Sequence, residues 1–265
     1  MSGMNQHENV QRQYSDDKNL SARINLHAKH SRNKQDFVLW LFEHYRFSDN
    51  DAILEMGCGN GRQWEGRLLH LPPGCSLTLS DFSEGMVNAT REKFSAGHSN
   101  IDFRQIDIQD IPYNDATFNV IIANHMLYHV PDLDKALSET YRVLKPGGCF
   151  YSATNGNGGM SLYLHNVMKQ FDPKTTAFAQ TFSFNLQNGS ELLGRYFSAV
   201  QRFDYENSLA VTDTQDLMNW LESTMTMSGL REEYLDGLHN YFETIRVRDG
   251  AINIPIECGL FICEK

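Results

Sequence analysis

Ile53-Leu54-Glu55-Met56-Gly57-Cys58-Gly59-Asn60-Gly61 is the stretch that decides how this chain reads. A short apolar run reaches an acidic residue, and three glycines then occupy every second position. The pattern predicts a buried strand that enters a tight turn and leaves it as a helix. Glycine suits such a turn because it tolerates positive φ and lets a ligand approach bare backbone. The spacing is G-x-G-x-G, not the G-x-G-x-x-G of dinucleotide-binding turns. Glu55 stands two positions before the first glycine, where it would repel a pyrophosphate but suit a ligand carrying an ammonium group. Taken alone, the segment also fits a turn that merely packs a helix on a sheet.

The next acidic landmark weakens that alternative. Residues 76–81 form a second strand candidate ending in Asp81, twenty residues after Gly61. An acidic residue at the tip of the second strand of such α/β units accepts hydrogen bonds from ribose hydroxyls. Phe82-Ser83-Glu84-Gly85-Met86 then opens a helix, with Ser83 as N-cap. Two further strand candidates, 101–106 and 118–123, run into Asp107 and Asn124. Leu144-Lys145-Pro146-Gly147-Gly148 supplies a Pro-Gly turn before a fifth strand at 149–153. Polar residues at successive strand ends share one edge of a parallel sheet, the edge where ligands of such folds bind.

The run from Ile53 to Thr154 resembles the class I S-adenosylmethionine-dependent methyltransferases, in particular the bacterial small-molecule branch that includes ubiquinone and menaquinone biosynthesis enzymes. Four segments carry the likeness in order: 55–61, 80–86, 107–113 and 144–148. The resemblance implies an α/β fold with a Rossmann-like, seven-stranded and mostly parallel sheet. Helices would cover both faces, the last strand would run antiparallel, and a helical cap would close the ligand edge. It implies S-adenosylmethionine as cofactor, with the turn of Glu55, Gly57, Gly59 and Asn60 around its methionine part and Asp81 on the ribose. Phe82 would pack on the adenine ring, Asp107 and the backbone of Ile108 would face the adenine edge, and Asn124 would close the site from the fourth strand.

Composition narrows the function classes. With 265 residues, 41% of them hydrophobic, the chain can bury a full core as one decorated domain. A formal net charge of −10 argues against nucleic acid as partner, because phosphate binding needs a basic surface. No apolar run is long enough to span a membrane, and the polar start does not read as a signal peptide. Five cysteines without a C-x-x-C pair read as reduced thiols of a cytoplasmic protein. A small-molecule substrate is the expected partner, and the sequence leaves the oligomeric state open, a homodimer included.

The flanks are expected to determine the acceptor. Residues 1–32 read as a mobile N-terminal lid ahead of a methyltransferase domain at 33–265. Asn33 is the expected N-cap of a helix bearing Phe37, Trp40 and Leu41. A cap insertion at about 155–189 opens with glycines and continues as an amphipathic segment with Met160, Leu164, Val167, Met168 and Phe171 on one face. Phe178, Phe182 and Phe184 follow, so this insertion is the expected source of substrate contacts. Downstream, helices are predicted at 190–197 and after a Thr212–Gln215 capping box, with a sixth strand at 199–205. Pro255 cannot donate a ladder bond, so the end divides into 251–254 and a terminal strand at 259–264.

Methyl transfer from a sulfonium needs a nucleophile held in line and water kept out. A base is required only for a protonated oxygen, nitrogen or activated carbon. His125 and His129, just past the fourth strand, are the catalytic candidates, since histidine suits proton removal near neutral pH. His125 is the preferred acceptor contact and His129 the more structural of the two. No third ligand accompanies the His125–His129 pair, so no metal is expected. The expected reaction is methylation of an O, N or C atom of a small apolar or aromatic metabolite. The alternatives are a protein methyltransferase and a non-catalytic cofactor-binding scaffold.

Overall fold

The computed structural model describes residues 18–94, 100–179 and 181–265. Strands β1 (Ala52–Met56), β2 (Ser76–Asp81), β3 (Ile101–Gln105), β4 (Phe118–Ile122) and β5 (Leu144–Asn155) pair in parallel. β7 (Ile252–Glu264) runs antiparallel between β5 and β6 (Ala199–Val211). The sheet order is β3-β2-β1-β4-β5-β7-β6. The chain therefore reverses its direction of travel across the sheet between β1 and β4. In open α/β sheets, ligands bind in the crevice at such a switch point.

The central strands β1 and β4 and residues 150–154 of β5 are buried on both faces, which is why they read as nearly continuous apolar runs, whereas β3 is not. Leu54, Ile121, Phe150 and Phe261 join one core cluster, whereas Ile53, Ile122, Tyr151 and Leu260 join the other. Adjacent residues thus alternate between the two cores, as the period of two requires. Helices α2 (Phe37–His44), α3 (Glu84–Phe94) and α4 (Leu133–Val143) bring apolar residues to these layers.

A third cluster lies outside both sheet layers. Helices α1 (Lys18–His30), α5 (Met160–Phe171), α7 (Thr214–Ser228) and α8 (Leu235–Asp249) pack their apolar faces on the β6–β7 ribbon where it runs past β5. Leu209, Val211, Ile252 and Ile254 of that ribbon are fully buried beneath Leu217, Leu221 and Phe242. A short helix, α6 (Gly189–Leu193), closes the chain before β6.

Several boundaries differ from the sequence expectations for local reasons. Two 3-10 turns, Arg62–Trp64 and Leu68–His70, follow the glycine turn in place of a regular helix. Asp36, not Asn33, caps α2, accepting from the Val38 and Leu39 N–H groups, while Asn33 Oδ1 accepts from Gln35 N. Asp213, not Thr212, caps α7 through the Gln215 N–H. β7 is continuous through Pro255, which stands opposite Ser208. Before Cys258 this strand has β6 on one side only, so a residue without an N–H fits. The mobile lid expected over 1–32 is, from Lys18 on, a helix docked on α7 and β6. Lys29 Nζ and His30 Nε2 reach Asp216 at 2.8 and 2.9 Å, and Arg32 N donates to Ser208 O. Residues 1–17 of the expected lid lie outside the described residues.

Candidate active site

A cavity of about 710 Å³ opens over the switch point. That volume lies in the upper part of the range for ligand pockets. Its floor is the glycine turn. Gly57, Gly59 and Gly61 all have positive φ, at 75°, 56° and 73°. A Cβ on Gly57 would also stand 2.9 Å from the Met126 Cβ, so both backbone angle and space exclude a side chain there.

At one end, β2 delivers Asp81. Its Oδ2 accepts from Gly59 N at 3.0 Å and its Oδ1 from Ser83 N at 2.8 Å. A carboxylate offers about four lone-pair positions, so two bonds orient the group and leave acceptor capacity. Burial raises the Asp81 pKa, opposed by the N–H groups of Ser83, Gly59 and Phe82. Phe82, Asp107 and Ile108 line the same end. Asp107 is already engaged: its Oδ1 accepts from Gln109 N at 2.9 Å, and Gln109 Nε2 contacts both oxygens at 3.1 and 3.2 Å.

Beneath the turn, β1 places Glu55, only 2% exposed yet lining the cavity. Trp64 Nε1 donates to its Oε2 at 2.6 Å. Burial raises the Glu55 pKa to about 8; the Trp64 bond opposes the rise and the Asp81 charge adds to it. Asn60 lines the cavity, its Oδ1 accepting from Arg62 N. Asn124, just past β4, lines the cavity with Gln63 and joins it and Tyr45 in a hydrogen-bond network. Burial raises the Tyr45 pKa well above that of an ordinary phenol, against the pull of the Asn124 and Gln63 amides.

His125 follows Asn124 with φ of 53°, a left-handed backbone uncommon outside glycine. Its N–H donates to Ala153 O at 2.7 Å, and its ring lies 5.4 Å from that of Phe37. Burial, then the neighbouring His27 of α1, lowers the His125 pKa to about 4. His27 is likewise lowered to about 4, by burial and by the Arg62 charge. Both imidazoles are therefore neutral at pH 7. His129 closes the 3-10 turn Leu127–His129 and lines the cavity beside Tyr128. Among the described residues no group of His, Cys, Asp and Glu could hold a metal ion.

The cavity is also lined by α1 (Arg23, Ile24, His27) and by Phe178, Trp220 and Met227. The insertion at 155–189 therefore divides. Met160, Ser161, Phe178 and Phe182 reach the cavity, whereas Leu164, Val167 and Met168 are buried in the cap core. Sequence reading misses Gln63, Trp220 and Met227 as cavity residues, and none of the three carried a usable signal; Arg23 and His27 lie in the segment expected to form a lid.

Residues 54–152 match the methyltransferase-domain family. The chain is 33% identical over 97 residues to a ubiquinone/menaquinone biosynthesis C-methyltransferase UbiE of Desulfotalea psychrophila, covering 36% of this chain and 38% of that one. It is 31% identical over 137 residues to a malonyl-[acyl-carrier protein] O-methyltransferase of Salmonella typhimurium, covering 51% and 49%. The chain spans less than half the length of the curated relatives it matches. In fold it is similar to phosphoethanolamine N-methyltransferase 2 of Haemonchus contortus, with a TM-score of 0.62 at 16% identity over 100% of this chain and 60% of that one. The YcgJ protein of Bacillus subtilis gives 0.61 at 16% identity over 86% and 97%. With the glycine turn, the acidic strand ends and the sheet order in place, residues 54–152 are a methyltransferase domain of the class I, S-adenosylmethionine-dependent kind.

Proposed function

We propose that this chain transfers a methyl group from S-adenosylmethionine to a small apolar or aromatic metabolite. One observation carries the reading: the glycine turn, Asp81, His125 and the apolar side chains Phe178, Trp220 and Met227 all line one cavity. The described residues fit the cofactor. Asp81 is pre-oriented by two N–H groups and retains capacity for a diol. Phe82 offers a ring face, and Asp107 with Ile108 borders the space beside it. Glu55 is a buried carboxylate in want of a cation. The cofactor supplies an electrophilic methyl group on a sulfonium.

The chain's own residues then hold the acceptor in line and exclude water. Phe178, Trp220 and Met227 bury its apolar body, and His125 accepts a hydrogen bond or a proton from the attacking atom. At a pKa of about 4, His125 is a weak base that is fully available at neutral pH. It suits an acidic hydroxyl or carbon acid better than an alcohol. A walled chamber favours a small acceptor over a side chain on a protein surface. His129 borders the cavity and shapes the loop after β4.

Calorimetry with S-adenosylhomocysteine tests the site. Asp81→Ala removes a charge-assisted bond worth roughly 1.5–3 kcal/mol, so affinity should fall about ten- to a hundredfold. Unchanged affinity in that variant would overturn the assignment of Asp81. Release of demethylated cofactor during incubation with metabolite fractions tests turnover.

A further inference from the structure

We propose that the Gln63 side-chain amide is the donor that recognises the α-carboxylate of the cofactor's amino-acid end, and so works as one unit with Glu55. The inference rests on the cofactor reading above and extends it to a residue outside the glycine motif. It starts from the backbone. Ala153 N donates to Asn124 Oδ1 at 2.9 Å, which fixes the orientation of the Asn124 amide. Asn124 Nδ2 must then donate, and it does so to Tyr45 Oη at 2.6 Å and to Gln63 Oε1 at 2.8 Å. That bond fixes the Gln63 amide in turn and directs its Nε2 elsewhere.

Gln63 is 9% exposed and lines the cavity; its amide lies near enough to pull on the Tyr45 phenol, but its buried Nε2 makes no well-formed hydrogen bond among the described residues. An unmet buried donor is costly and rare, and is held where an acceptor arrives with a ligand. Its neighbours say which acceptor. Gln63 precedes Trp64, whose indole N–H holds Glu55 at 2.6 Å. A ribose on Asp81 at the end of β2, with adenine toward β3, sends the amino-acid end the other way, toward β1 and β4, where Glu55 and Asn124 stand. An α-amino acid presents one cation and one anion a bond or two apart. Glu55 suits the ammonium, and a neutral N–H donor beside it suits the carboxylate without attracting a second anion. The nearby Arg62 guanidinium is engaged by Asp36 at 3.3 Å.

Calorimetry on the whole chain tests this with two ligands. S-adenosylhomocysteine carries the amino-acid end; 5′-methylthioadenosine shares the adenosine and thioether but lacks it. Gln63→Leu should weaken the first about ten- to a hundredfold and leave the second within about twofold. Gln63→Glu keeps the acceptor for Asn124 and puts negative charge where the N–H was, so it should weaken S-adenosylhomocysteine further. Melting curves show whether both variants fold. No loss for S-adenosylhomocysteine in Gln63→Leu, or equal loss for both ligands in a folded variant, overturns the proposal. A wild-type chain that takes up neither ligand removes the cofactor reading itself, and this proposal with it.

Discussion

Glu55 should make cofactor binding release a proton. Burial holds its pKa at about 8 against an ordinary value of 4.5. At pH 7, one unit below, roughly nine in ten of these carboxyls carry a proton. An ammonium brought into contact favours the ionised form, so about 0.9 proton should leave per ligand bound at pH 7. Affinity for S-adenosylhomocysteine should therefore climb about ninefold from pH 6 to 7 and about fivefold from pH 7 to 8, and level off above. Calorimetry at pH 7 in two buffers of different ionisation enthalpy counts the protons directly. Glu55→Gln keeps an acceptor for the Trp64 indole but cannot ionise. It should abolish the release, flatten the pH dependence and weaken binding at pH 8 by about ten- to a hundredfold. Methylthioadenosine, which has no ammonium, should release nothing even from the wild type. Equal proton release by Glu55→Gln and the parent chain would refute the reasoning.

The same group sets a stability trend whose sign is opposite to that of an ion-paired carboxylate. Its folded pKa lies above its unfolded one, so between pH 4.5 and 8 the folded chain binds more protons than the unfolded chain. The stabilisation is fully present below about pH 4.5 and is lost as pH rises through 8. At pH 8 and above, in the absence of ligand, Glu55→Gln should be more stable than the wild type, by an amount on the order of a few kcal/mol.

His125→Asn, a residue type that tolerates the left-handed backbone there, should lower turnover about 100-fold with little change in S-adenosylhomocysteine affinity; full turnover would assign catalysis to positioning alone. In the wild type, turnover should stay level above about pH 5 and fall as His125 protonates through about 4. His125 and His27 have folded pKa values below their usual 6.5, so their contribution is complete above pH 6.5 and is lost as pH falls toward 4. The acid limb of a melting-temperature profile should be shallower in His125→Asn. Phe242→Ala, at a fully buried position of the cap core, should cost about 3–5 kcal/mol in denaturant unfolding; a loss under about 1 kcal/mol would mean that the cap adds little to the cooperative fold.

The central sheet was legible because its signals are local. A strand buried on both faces must be an apolar run, and a turn that bares its backbone must use glycine, so 53–61 declares itself within nine residues. The ends of β2, β3 and β4 could be placed because polar residues interrupt apolar runs there. What was not legible depends on partners far apart in sequence. The stripe Leu164, Val167, Met168 has the same period whether it lines a pocket or fills a core, and only the arrival of Leu217, Leu221 and Phe242 makes it core. Pro255 reads as a break until β7 is seen to have a neighbour on one side only at that level.

The site shows the same division more sharply. Motif spacing found the groups that must sit on strand ends, namely Glu55, Asp81, Asp107 and Asn124, because strand ends are where the parallel sheet collects them. It passed over Gln63, a common residue type in a segment expected to be helical. Its part emerges only when a backbone N–H 90 residues downstream orients Asn124, and Asn124 orients Gln63 across 61 residues. His27 and Trp220 reach the cavity because α1 and α7 are tied together through Asp216 and seated on the extended β6–β7 ribbon. The end of the cavity proposed for the cofactor is thus assembled largely by contiguous motifs, while the end proposed for the acceptor is assembled by packing among separate helices. A change of acceptor could then arise by repacking α1, α7 and the 178–182 segment without disturbing Asp81 or the glycine turn.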